Sequence, residues 1–210
     1  IIHQSSSRVK INFKKKAKII SFVGKLNTAK GYDLFGDAVI KILDKHKNWK
    51  AVVFGDEHRE KLNFSHKNMK IFGFKEHSFI LKYLERVSVS IICSRWNEPF
   101  GRTSLEAASR GSAIIISDRG GLPETTNYAI KLKKLNSNEI FKQVEFLINN
   151  KSKRLTLQKK IYKDFKYTHE FITSKIDNIR KIFNEDLIRF NPLKSNNPLR
   201  ILHVTNFNEK

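Results

Sequence analysis

The 210-residue sequence has one cysteine, Cys93, four prolines, one methionine and only 20 acidic against 41 basic side chains. A lone cysteine excludes both a disulfide framework and a cysteine-based zinc site. The seven histidines show no ligand-like spacing, and Asp-x-Asp does not occur, so no resident metal is expected. Neither a Gly-x-Gly-x-x-Gly fingerprint nor a Gly-x4-Gly-Lys-Ser/Thr loop is present, which removes the common dinucleotide and P-loop readings. Long hydrophobic runs are also missing. The longest, Val87 to Cys93 and Ala113 to Ile116, fall far short of the ~20 residues of a membrane span. With 40% hydrophobic and 29% charged residues the chain is neither low-complexity nor disordered by composition. A fold of this size hides roughly 70% of its unfolded surface, enough for a self-sufficient core. The first residue is Ile1 and the only methionine is Met69, so the chain reads as an internal piece of a longer protein.

The formal charge of +21 raises two binding readings, a nucleic-acid or polyanion module and a peripheral membrane module. Most of the excess is lysine scattered over expected helix surfaces, in a chain also rich in Ile and Asn. A solvated surface accounts for that, and the aromatic interleaving of a single-strand-binding groove is absent. Lys151, Lys153, Arg154, Lys159, Lys160 and Lys163 could form one basic helix face beside anionic lipid.

What is present is a regular alternation. Lys18 to Gly24 is a short apolar run stopped by glycine, as in a buried strand. Leu34, Phe35, Ala38, Val39, Ile42 and Leu43 recur at helical spacing over 31–46. Strands follow at Trp49–Phe54, Met69–Phe72, Val87–Cys93, Ala113–Ser117 and Tyr128–Leu132. Helices are expected at Ser78–Arg86, Phe100–Arg110, 137–150, 153–165 and 168–187. This order predicts an α/β, Rossmann-like parallel sheet with helices on both faces. Ligands of such sheets bind beyond the carboxyl ends of the strands. Residues 1–17 read as an interdomain segment, 18–187 as the domain, 188–198 as a turn-rich linker, and 199–210 as the first strand of a further, truncated domain. His203 then belongs to that strand, and Cys93 to a buried one.

Three strand-end loops carry candidate chemistry. In Arg95 to Ala108, Phe100-Gly101-Arg102-Thr103 lead into a helix whose unpaired first amides and positive dipole end suit a phosphate. Thr103-x-x-Glu106 also fits a capping box, in which Glu106 only returns a hydrogen bond to the backbone. Glu98 lies before the helix, where no cap requires it. The two carboxylates could instead accept bonds from sugar and ribose hydroxyls. In Gly24 to Gly31, Lys25 and Lys30 are placed to neutralise a diphosphate, though two solvated lysines explain such a pair in isolation. Gly120-Gly121, after the fifth strand, permits close backbone approach or simply a tight turn. Trp96 and Phe100 read either as packing or as sugar platforms.

Together, Phe22 to Leu26 with Lys30-Gly31, Glu98-Pro99-Phe100-Gly101 through Leu105-Glu106-Ala107, and Gly120-Gly121-x-x-Glu124 resemble the C-terminal, nucleotide-sugar-binding domain of GT-B glycosyltransferases, family 4 retaining enzymes. The similarity covers about residues 18–187. It implies a hexosyltransferase acting from a nucleotide-diphosphate sugar with retention of configuration, without a cofactor or metal, in polysaccharide or glycolipid synthesis. Carried over, Lys25 and Lys30 hold the diphosphate, with Lys25 standing where the family commonly has Arg. Glu98 faces the donor sugar beside the amides of Phe100 and Gly101, and Glu106 binds the ribose. The loop at Gly73 and Phe74 touches the base, while Gly24 and Gly120-Gly121 line the cleft. The stretch Tyr128–Leu132 departs from the family's Gly-containing strand start. Acceptor and part of the machinery would lie on a preceding N-terminal domain, so this chain alone binds donor but turns over poorly. The implied location is cytoplasmic, with peripheral contact to the inner face of the membrane as an option.

Overall fold

A computed structural model describes residues 2–190, with side chains to residue 183. Residues up to Ile172 form one compact unit. Its six strands are β1 (Ile19–Val23), β2 (Lys50–Phe54), β3 (Met69–Ile71), β4 (Val89–Ile92), β5 (Ala113–Ile116) and β6 (Ile130–Lys131). They form one sheet in the order β3-β2-β1-β4-β5-β6. Every pairing is parallel. The central strands β1, β4 and β5 are buried on both faces, which is why they read as mostly apolar runs, the buried Ser21 of β1 and Ser90 of β4 pairing through their hydroxyls at 2.9 Å.

The helices are α1 (Tyr32–Lys45), α2 (His77–Leu84), α3 (Arg102–Ser109), α4 (Ser137–Asn149), α5 (Lys151–Asp164) and α6 (His169–Phe190). All six members of the expected α1 stripe are buried. With Ile140, Val144 and Leu147 of α4 they cover one sheet face. Leu84 of α2, with Ile80 and Tyr83 packed beside it, covers Ile19, Val52 and Phe54 on the other face. Both faces are therefore occupied, as the alternation predicts. From Thr173 a second unit begins, within which α6 continues to Phe190. Ile182 and Phe183 of its apolar stripe are exposed. Most of the expected linker, from residue 191, and the expected strand at 199–204 lie outside the described residues.

Arg154 departs from the basic helix face read in the sequence. It is buried, donates from Nη1 to the carbonyl oxygens of Leu147 (2.5 Å) and Ile148 (3.2 Å), and stacks on Trp49 at 5.0 Å. The carbonyl end of α4 and an aromatic face compensate a cation that would otherwise be costly to bury.

Cys93 is fully buried at the end of β4, its Sγ donating to Gly31 O at 3.1 Å. Burial pushes its thiol up to about 12. At pH 8.5 iodoacetamide should alkylate the native protein about a thousandfold more slowly than the urea-unfolded chain, because thiolate is the reactive form. Comparable rates in a mass-spectrometric time course would contradict the burial.

Candidate functional site

In this strand order the sheet changes direction between β1 and β4, which opens a crevice at their carboxyl ends. A cavity of about 190 Å³ lies there, lined by Val23, Gly24, Lys30, Glu98, Gly101 and Arg102 among others. It is smaller than the roughly 300–1,000 Å³ of a complete small-molecule pocket, and so takes part of a ligand, on the scale of a diphosphate.

Two loops bring its charges together. Lys30 and Glu98, 68 residues apart, form an ion pair with Nζ to Oε1 at 2.5 Å. The Lys30 backbone N–H donates to Asn27 Oδ1 (3.0 Å), which holds the loop after β1 from within, and Asn27 Nδ2 donates to Glu57 (3.0 Å), which ties it to the loop after β2. Arg95 grips Asp33 with two 2.7 Å bonds and thereby ties the loop after β4 to α1. The third wall is the start of α3. Its N-cap is Gly101 at φ +103°, without a side-chain cap. The first intrahelical bond is Leu105 N to Gly101 O, which leaves the amides of Arg102, Thr103 and Ser104 without a helical acceptor. Those amides and the helix dipole favour an anion.

The capping-box alternative for Glu106 is not realised. Thr103 Oγ1 reaches back to Val23 O at 3.4 Å, and Glu106 accepts from Arg102 Nε (2.9 Å) and His77 Nε2 (2.7 Å). Both bonds fall on Oε1. His77 Nε2 also lies 3.5 Å from Arg102 Nη2, so the three side chains form one cluster. Glu106 is buried and does not line the 190 Å³ cavity; Arg102, its hydrogen-bond partner, does. His77 was not legible as a site residue. Its only signal is its place as the first residue of the helix that follows the β3 loop.

Several expected residues stand elsewhere. Phe100 is buried against His3 (4.6 Å between rings) and Tyr167 (5.1 Å), so it packs rather than lines the cavity. Lys25 is exposed beside the loop, and Phe74 is 72% exposed. Neither they nor Gly73 line the cavity. Trp96 is likewise exposed. Gly120 and Gly121 support the Glu98 loop from outside the cavity. A Cβ on Gly120 would meet Glu98 O at 2.3 Å, one on Gly121 would meet Pro99 O at 2.5 Å, and Gly121 N–H donates to Glu98 O (2.7 Å). The paired glycines are thus required by close backbone packing. Among the described residues no cluster of His, Cys, Asp or Glu could hold a metal ion. No described helix is long and apolar enough to cross a membrane.

Residues 3–164 match the model of the family Glycosyl transferases group 1. The chain is 32% identical over 116 residues to the lipopolysaccharide core biosynthesis mannosyltransferase LpcC of Rhizobium leguminosarum, covering 50% of this chain and 33% of that protein. It spans about a third of the length of the curated relatives it matches. Among solved structures, Anabaena HepE in complex with UDP-glucose superposes with a TM-score of 0.68 at 17% identity, over 79% of this chain and 49% of that one. The C-terminal domain of LpcC from Francisella tularensis, a glycosyl transferase group 1 family protein, superposes with a TM-score of 0.64 at 21% identity, over 81% of this chain and 95% of that one.

Proposed function

The chain belongs to the glycosyl transferases group 1 family, and on that premise we propose that it is the donor-binding half of a GT-B, family 4 retaining glycosyltransferase. Its substrate would be a nucleoside-diphosphate hexose, and its product a polysaccharide or glycolipid. The observation that carries the reading is the crevice between β1 and β4, where Lys30, Glu98 and the free amides of α3 meet. The UDP-glucose bound by HepE supports a nucleotide-sugar donor, and the mannosyltransferase activity of the Rhizobium relative supports a hexose.

The chemistry is electrostatic. Breaking the bond from the anomeric carbon to the diphosphate builds positive charge on the sugar and negative charge on the leaving oxygens. Lys30 and the first amides of α3 would receive the leaving diphosphate, each such preorganised donor being worth roughly 3 kcal/mol. Lys25, exposed at the same loop, adds a second charge when it folds over the ligand. Glu98, released from Lys30 as the phosphates arrive, becomes an acceptor for a sugar hydroxyl. Glu106, fixed through Oε1, keeps Oε2 for the ribose. This scheme needs no metal. The acceptor would be held by sequence beyond the donor half.

Calorimetric titration with UDP, GDP and ADP in EDTA should show one of them binding with Kd well below 1 mM, since millimolar affinity is only about 4 kcal/mol. Glu106→Gln should weaken that nucleotide about tenfold. If none of the three binds below the millimolar range, or if binding needs a divalent cation, the reading fails.

A further inference from the structure

A second cavity lies at the opposite end of the sheet from the donor crevice. It measures about 1,140 Å³. Lys18 and Ser88, which line it, immediately precede β1 and β4, so it lies a strand length away, roughly 15 Å. Its apolar floor is Ile11, Phe13 and Leu155, all half-buried. Five exposed lysines, Lys10, Lys14, Lys18, Lys151 and Lys159, surround that floor, and no acidic residue lines it.

Two further observations point to a ligand. The first turn of α5 carries the exposed Lys151 and Lys153 beside the already paired Arg154, with no acidic residue and no side-chain cap. Cations at the positive end of a helix dipole work against stability, and a bound anion relieves that conflict. Gln158, wholly buried, also lines the cavity; its Nε2 donates to Ser88 O (2.8 Å), and its Oε1 has no partner. A buried acceptor without a donor calls for one from outside.

We propose that this groove seats an anionic phospholipid headgroup at a bilayer surface, with the phosphate among the lysines, a headgroup hydroxyl donating toward Gln158, and the glycerol and first methylenes on Ile11, Phe13 and Leu155. The apolar floor favours a lipid over a nucleic acid, whose backbone has no matching apolar surface. A glycerol headgroup supplies the hydroxyl that a choline headgroup lacks. The inference is independent of the donor-site reading.

The test is sedimentation of the full chain with phosphatidylcholine vesicles containing 30% phosphatidylglycerol, against vesicles of phosphatidylcholine alone. Binding should require phosphatidylglycerol, fall steeply between 50 and 300 mM salt, and weaken about a hundredfold in Lys14→Glu/Lys151→Glu/Lys159→Glu, the scale for losing three charges at a membrane surface. Lys41→Glu/Lys67→Glu/Lys142→Glu, with the same net charge, should lose less than fivefold. Both variants should melt within a few degrees of the parent, and titration of the groove variant with UDP checks that the donor crevice is intact. Equal losses in both variants would overturn the proposal. So would absence of binding to the anionic vesicles, or a 20-base-pair RNA duplex that displaces the protein from them.

Discussion

Lys30→Met should weaken nucleoside diphosphate binding about a hundredfold while moving the melting temperature by less than about 3 °C. The expected loss follows from removing one charge-assisted bond to phosphate, worth roughly 1.5–3 kcal/mol. Stability should hardly move because Lys30 is a third exposed and its pair with Glu98 is reached by water, where ion pairs contribute little. The same pair makes an opposite prediction for its partner. Glu98→Gln removes negative charge from the crevice and frees Lys30, so UDP without sugar should bind severalfold more tightly. The same change should slow sugar transfer, since the acceptor for the donor sugar is gone. Isothermal titration of the two variants separates these effects. If Lys30→Met binds UDP as well as the parent, the diphosphate does not settle at the start of α3.

Lys16→Met should cost about 3 kcal/mol of stability and lower the melting temperature by roughly 6–12 °C. The Lys16 ammonium donates to Leu84 O (3.2 Å), Val87 O (2.9 Å) and Arg110 O (2.6 Å). Leu84 is the last residue of α2, and Arg110 caps α3. One lysine head group, whose pKa burial lowers to about 7, therefore serves the carbonyl ends of two helices. Methionine fills the same space and leaves Arg110 O without a donor, the costly half of a hydrogen bond's balance, while Leu84 O keeps only Val87 N–H (3.1 Å) and Val87 O keeps Ser112 Oγ (3.3 Å). Urea unfolding monitored by circular dichroism measures the change, and a loss below 1 kcal/mol would show that water replaces the ammonium at no cost. The prediction concerns the site as well as the fold, because α2 carries His77 and α3 carries Arg102 and Glu106.

The particular elements show what local pattern conveys. The α1 stripe was readable because six apolar residues repeat at 3.6 spacing, and all six are buried. The first five strands were readable because each ends at a loop with glycine or small polar residues. Observed ends differ from expected ones by a residue or two at most elements. Where a residue's type misleads, the reading stops. Arg154 looks like part of a charged face and is turned inward by Trp49 and two carbonyls. Phe100 looks like a cleft aromatic and is held by His3 and Tyr167. Gly120 and Gly121 look like a flexible lining and are set by the backbone they press on.

The sequence by itself determined the layered α/β architecture, the number and order of its elements and the three loops that converge at the strand ends, since hydrophobic period and glycine placement act over a few residues. Only the tertiary structure decided which side chains from those loops meet. Lys30 finds Glu98, and Glu106 takes His77, because strand order brings together residues that lie 68 and 29 positions apart in the chain. No local periodicity records such pairings. They follow from the reversal between β1 and β4, which places two distant loops on one crevice.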